Sequence, residues 1–251
     1  MSRPLIRIAP EYEHLRPYLE NIEEHFAGGR VIHSGRNEIR AVTPPGGPEL
    51  NVKRYRVPIW INRVAYTFLR KPKGVRAFEY PRVLLEKGFD TPAPVAYIER
   101  REGGLIAFSY FVSVQSGLRR RFFEFGDATE EQFGPVMKEF ARLTARLHEA
   151  EIIHRDYSPG NILFDSDGRG GWLFSLVDIN RMEFRPVDFR EGLRGFVRLW
   201  GQPEMFDLLA REYALARGAD PDAASAELLA YRERFWKRWA RNHKIKFNLR
   251  Y

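Results

Sequence analysis

The feature that most limits the fold is a change of hydrophobic period near the middle of the chain. Up to about residue 115 the apolar residues fall mainly into short strand-like runs: "RVIHSG" (30–35), "NEIRAV" (37–42), "ELNVKRYRV" (49–57), "APVAYIE" (93–99) and "LIAFSYFVSV" (105–114). "TPPGGP" at 43–48 supplies turn chemistry between two of them. Two helices are expected among these runs. Residues 11–27 place Leu15, Leu19, Ile22 and Phe26 on one face. Residues 76–87 end at Gly88, with Pro81 marking the first turn, where its missing N–H costs least.

Beyond "VSVQSGL" (112–118) the period becomes helical. Thr129-Glu130-Glu131-Gln132 is a capping box. It starts a helix with Phe133, Val136, Met137, Phe140, Leu143 and Leu147 inward. "WLFSLVDIN" (172–180) reads as a strand ending in polar residues. Asp188-x-x-Glu191 caps a further helix with Phe189, Leu193, Phe196, Val197 and Trp200 inward, and Pro221 opens the last long one. Strands followed by helices give an α+β class. The expected division is 1–115, sheet-rich, and 116–251, helical.

Composition narrows the function. With 44% hydrophobic and 29% charged residues the 251-residue chain can bury a core and is not disordered. It has no cysteine, which excludes disulfides, thiolate zinc sites and a thiol nucleophile. Arg3, Arg7, Glu11 and Glu13 interrupt any secretory h-region, and no apolar run is long enough to span a bilayer. The net charge of +8 is concentrated: from Arg232 to Arg250 eight basic residues face one acid, Glu233. Such a tail favours an anionic partner.

The chemistry-bearing stretch is "EIIHRDYSPGNIL" (151–163), read together with "LVDIN". Asp156, Asn161 and Asp178 are oxygen-bearing side chains on loops at the ends of apolar segments. Such ligands suit a hard cation that borrows phosphate oxygens, and an Asp in the same loop can orient or deprotonate a hydroxyl. A base, two metal ligands and a lysine are the parts of phosphoryl transfer.

His154-Arg155-Asp156-Tyr157-Ser158-Pro159-Gly160-Asn161 resembles the H-R-D-x-x-x-x-N catalytic loop of eukaryotic-type kinases. "HRDYSPGNILF", "LVDINRMEF", "GRNEIR" and "TPAPVAYIE" are similar to the bacterial lipopolysaccharide core kinases of the Kdo and heptose type, over roughly residues 30–215. The resemblance implies a bilobal protein-kinase-like fold, with a sheet-rich N-lobe and a helical C-lobe, that uses ATP and Mg2+. It makes Asp156 the catalytic base, with Asn161 and Asp178 on magnesium. Lys53 would contact the nucleotide phosphates, and Glu79 would anchor Lys53. Gly35 is all that remains of a glycine-rich phosphate loop. His154 and His148 are expected to be buried structural histidines.

From Ile179 to Ala224 there is no Ser or Thr, and only Tyr213 carries a hydroxyl. No phosphorylation switch or peptide shelf of the protein-kinase type is visible, so a small-molecule or glycan acceptor is expected. The segment is basic instead. Arg190, Arg194 and Arg198 recur every four residues and are expected on one helical face, with Arg155, Arg181 and Arg185 nearby. Guanidinium forks suit the carboxylates or phosphates of an anionic sugar or glycolipid acceptor. In the tail, Phe235, Trp236 and Trp239 read as a core stripe or as an interfacial membrane contact. The expectation is a cytoplasmic enzyme with room for peripheral contact at the inner membrane. Its rivals are a kinase of another small molecule (aminoglycoside, choline or sugar) and a non-catalytic scaffold on anionic membrane or nucleic acid, nucleic acid being disfavoured.

Overall fold

The computed structural model describes residues 4–35, 37–55 and 72–251. Arg56 and Val57, the end of one expected strand, lie outside the described residues. The chain forms two compact units, Met1–Gly117 and Leu118–Tyr251.

The first unit is built on one antiparallel sheet. Its strands are β1 (Leu5–Ile8), β2 (Arg30–Ser34), β3 (Glu38–Val42), β4 (Leu50–Tyr55), β5 (Pro94–Glu102) and β6 (Leu105–Val114), in the order β1-β5-β6-β4-β3-β2. Alternation along β4 sends Leu50 and Val52 into the core with Val42, Val95, Ile98 and Val112. Leu15, Leu19, Ile22 and Phe26 cover that face, as their spacing predicts. They do so from three pieces: a 3-10 turn (Pro10–Leu15), α1 (Arg16–Glu20) and α2 (Ile22–Gly28). Two residues explain the breaks. Pro17 has no N–H to continue a helix from the preceding turn. Asn21 donates its side-chain amide to the Pro17 carbonyl at 3.0 Å, which competes with the helical ladder.

Helix α3 (Lys73–Glu86) covers the opposite face, where Val75 and Phe78 pack with Tyr97. Pro81 lies well inside α3 and not in its first turn as predicted. Its ring is buried on the same face as Val75, Phe78 and Leu84, so packing offsets the lost hydrogen bond. Gly88, at φ +79°, ends the helix: Phe89 N–H bonds the Leu84 carbonyl at 2.9 Å and Gly88 N–H bonds Leu85 at 3.0 Å.

In the second unit α4 (Glu130–Glu149) begins at the predicted capping box, with Thr129 N–H bonded to Gln132 Oε1 at 2.9 Å. Its buried face carries Phe133, Val136, Met137, Phe140 and Leu147, while Leu143 is only half-buried. Short strands follow: β7 (Arg120–Arg121) pairs with β9 (Ile162–Ser166), β9 with β10 (Trp172–Leu176), and β8 (Ile152–His154) with β11 (Met182–Phe184). Phe122 centres the core, edge-on to Phe125, Phe140 and Phe164 at 5.1, 4.6 and 5.3 Å.

The remaining helices are α5 (Phe189–Gly195), α6 (Pro203–Ala216) and α7 (Pro221–Ala240). Asp188 caps α5 through the N–H groups of Arg190 and Glu191. α5 stops at Gly195, so Arg198 falls in the next 3-10 turn and does not continue a face with Arg190 and Arg194. Leu193 and Phe196 are buried as predicted, whereas Phe189, Val197 and Trp200 are half-buried. The tail packs back on its own unit. Trp236 is buried, and Phe247 sits between Trp200 and Trp236 at 5.4 and 5.1 Å. Arg232, 1% exposed, donates to the carbonyls of Arg250 and Gly201 at 2.7 and 2.8 Å.

Candidate active site

In the first unit, Lys53 lies on β4, directly opposite Ile39 of β3 and Phe111 of β6, and Phe111 is opposite Tyr97 of β5. Residues in register share a sheet face. Lys53 therefore lies on the face covered by α3, the helix that carries Glu79. Its ammonium is 5.5 Å from the Tyr55 ring centre. Glu79 has a partner that sequence spacing does not suggest, Arg7, at 3.6 Å. Gly35 follows β2 in the β2–β3 connection, where a Cβ would come within 2.8 Å of His33 Nε2.

In the second unit, the loop after β8 is held from both sides. The Asp156 N–H donates to His154 Nδ1 at 3.1 Å, which leaves His154 Nε2 to donate to the Val177 carbonyl at 3.1 Å. His154 is buried, and desolvation lowers its pKa, so the imidazole is neutral. The buried Tyr157 hydroxyl meets Thr144 Oγ1 of α4 at 2.9 Å, and its ring packs on Phe140 at 5.2 Å. These contacts pin the residues on either side of Asp156. Sequence reading had passed over Tyr157 because an aromatic beside a loop Asp carries no distinct pattern.

Asn161 donates to the Asp156 carbonyl at 2.9 Å, closing the loop on itself. The Asn161 backbone carbonyl accepts from Val177 N–H at 3.0 Å, just beyond the Ile162–Leu176 register of β9 and β10. Asn161 and Asp178 are thus placed at one end of the same hairpin. Asp178 adopts a left-handed backbone, φ 55°, which Asp tolerates better than most residues and which is enriched at working sites. It accepts from the Asn180 side chain.

Asp156 is flanked by two guanidinium groups. Arg198 Nη1 lies 2.9 Å from Oδ1, and Arg181 Nη1 lies 3.7 Å from Oδ2. The other arginines expected on the acceptor side have acidic or phenolic partners. Arg155 and Arg185 both bond Glu191, Arg185 through both carboxylate oxygens. Arg185, then Arg155, hold the Glu191 carboxyl below its usual range. Arg190 pairs with Glu227 at 3.3 Å, and Arg194 donates to Tyr231 at 2.8 Å. Together with Arg198, Tyr157 and Phe235, the residues Arg155, Arg190 and Arg194 line a cavity of about 560 Å³ beside the loop.

A sheet-built first unit carrying a strand lysine, followed by a helical unit carrying this loop and hairpin, defines a protein-kinase-like fold. The solved structures agree on the fold. WaaP in complex with acyl carrier protein superposes with a TM-score of 0.61 at 18% identity, over 93% of this chain and 98% of that one. The amicoumacin kinase hAmiN in complex with AMP-PNP, Ca2+ and Ami gives 0.57 at 12% identity, over 93% and 88%.

Residues 46–199, more than half the chain, match the model of the lipopolysaccharide kinase (Kdo/WaaP) family, and the chain belongs to that family. Two curated relatives are similar to it, both 3-deoxy-D-manno-octulosonic acid kinases of Stenotrophomonas maltophilia. The one from strain K279a is 31% identical over 154 residues and the one from strain R551-3 is 30% identical over 155. The matches span 59% and 60% of the relatives' length.

Proposed function

We propose that the chain is an ATP-dependent phosphotransferase whose acceptor is a sugar hydroxyl, of Kdo or heptose, in the lipopolysaccharide inner core. The observation that carries this reading is the clustering of Asp156, Asn161 and Asp178 at the end of one hairpin, tied together through His154, Val177 and the loop's own carbonyls. Family membership and the Kdo kinase names of the relatives support the acceptor class.

Asp156 orients the acceptor hydroxyl and accepts its proton as the new bond to phosphorus forms. Lys53 binds the nucleotide phosphates, Glu79 on α3 orients Lys53, and the Gly35 turn approaches the phosphates through its backbone. Asn161 and Asp178 fit a divalent ion. The Asn161 amide donates to the loop and leaves its oxygen without a partner among the described residues, and Asp178 adds a carboxylate. A donor set of one amide oxygen and one carboxylate suits magnesium completed by water and phosphate oxygens. When bound, that ion would neutralise charge on the transferring phosphoryl group.

The acceptor side is cationic, which fits a sugar acid or an acidic glycolipid. The tail extends this to the membrane. Arg238, Arg241, Lys244 and Lys246 are exposed and have no partner among the described residues, a composition that suits an anionic inner-membrane surface from the cytoplasmic side. No helix among the described residues is long and apolar enough to cross a membrane.

The test is mass analysis of Kdo–lipid A after incubation with ATP and Mg2+. One added phosphate on the sugar, absent with Asp156→Ala, supports the reading. Asp156-dependent ATP turnover that leaves the glycolipid unmodified would move the activity to another acceptor.

A further inference from the structure

We infer that Arg198 is a positioning residue for the catalytic carboxylate, an inference that rests on the phosphotransferase reading. The four residues between Asp156 and Asn161, Tyr-Ser-Pro-Gly, carry no cation. Arg155, the loop's own cation, is bonded to Glu191 at 2.7 Å, so positive charge at Asp156 comes from Arg181 and Arg198.

The two contacts are not equivalent. The Arg198 contact, at 2.9 Å, is a charge-assisted hydrogen bond, whereas Arg181, at 3.7 Å, is beyond hydrogen-bond range. The Arg198 side chain is 38% exposed and that of Arg181 52% exposed, so the first contact is also the less solvated. The Arg198 backbone is anchored. It closes a 3-10 turn between Phe196 and Leu199, both fully buried, and Leu199 N–H bonds the Phe196 carbonyl at 2.9 Å.

Rotation about the last torsion of an Asp side chain is soft, so one firm hydrogen bond decides where its second oxygen lies. Arg198 engages Oδ1 and leaves Oδ2 as the oxygen that meets the acceptor hydroxyl. In the transfer, the hydroxyl proton moves to Oδ2. The acceptor oxygen bonds the γ-phosphorus, and the bond from that phosphorus to the bridging oxygen of ADP breaks. Arg198 neither gives nor takes a proton; its role is to hold Asp156 in line.

Arg190, Arg194 and Arg198 share a spacing of four, yet only Arg198 reaches Asp156. The other two turn to Glu227 and Tyr231 on α7. A helical-face reading cannot separate them, because the helix ends before Arg198.

The experiment compares wild type, Arg198→Ala, Arg198→Lys, Asp156→Ala and the double variant Asp156→Ala/Arg198→Ala, with Arg142→Ala as a surface control whose guanidinium pairs with Glu212 at 2.9 Å. ATP and acceptor dependence are measured with folding checked by thermal melting. Arg198→Ala is expected to lower kcat by about 10- to 100-fold with the KM for ATP unchanged. Arg198→Lys should recover part of it, since a point charge lacks the fork, and the double variant should be no slower than Asp156→Ala. Wild-type kcat in folded Arg198→Ala, a change confined to the acceptor KM, or a further loss in the double variant would each overturn the inference and leave the kinase reading standing. A wild-type protein that turns over no nucleotide overturns both.

Discussion

His154 Nε2 donates to the Val177 carbonyl at 3.1 Å, so a buried neutral ring ties the loop of Asp156 to the residue before Asp178. Its other nitrogen is already taken by the Asp156 N–H. Replacing the ring with one that cannot bond, His154→Phe, strands a half-buried carbonyl and a half-buried N–H. The expected cost is about 2 kcal/mol of stability, by denaturant titration. Phosphoryl transfer should fall by more than about tenfold at temperatures where the variant remains folded. Wild-type kcat in the folded variant would refute the tether.

Two buried histidines set a pH dependence. Burial, and then the nearby Arg217 charge, pushes His148 down to about 3, and burial lowers His154 as well. In the unfolded chain both titrate near 6.5. Below that pH the unfolded state binds protons that the native state refuses, so stability is lost as pH falls. For His148 the slope approaches about 1.4 kcal/mol per pH unit, and His154 adds a loss of the same sign. Above pH 7 the effect vanishes. Glu191, whose carboxyl is held down mainly by Arg185, adds a loss of the same sign only nearer its ordinary range. Unfolding free energies measured at pH 6 and pH 5 isolate the histidines, and His148→Gln should reduce the difference by about 1 kcal/mol. An unchanged slope in that variant would contradict the assignment.

Gly192 on α5 faces a contact with no slack. A Cβ there would lie 2.2 Å from the Tyr213 hydroxyl and 2.7 Å from His148 Nδ1, two groups hydrogen-bonded to each other at 2.9 Å in the core. Gly192→Ala is expected to cost about 2 kcal/mol or more through overpacking. In a Tyr213→Phe background the same change should cost less, because the nearest clashing atom is gone. Additive losses in a melting cycle would show that the strain lies elsewhere.

What the sequence made legible was local. The runs "ELNVKRYRV" and "APVAYIE" read as strands, and Thr129 with Gln132 marked the start of α4, because strand propensity and capping act within a few residues. The loop residues Asp156 and Asn161 were legible for the same reason, as a fixed spacing in one turn. What failed depended on distant packing. Pro81 reads as a first-turn residue until its side chain is known to be buried well inside the helix. The segment 11–27 shows one apolar face, but Pro17 and Asn21 divide it into three pieces. Arg190, Arg194 and Arg198 look alike in a row of four-residue steps. Only the end of α5 at Gly195 and the acids and phenols around it send them to different partners. The aromatic tail was open between core and membrane. The fold gives Trp236 to the core and leaves the cations of the helix end outside.

The most direct measurement is single-turnover transfer from γ-labelled ATP to Kdo–lipid A with Mg2+, comparing wild type with Asp156→Asn, which keeps shape but cannot accept a proton. The account predicts label on the glycolipid with wild type and a rate at least about 100-fold lower with Asp156→Asn. Equal rates for the two proteins would contradict it.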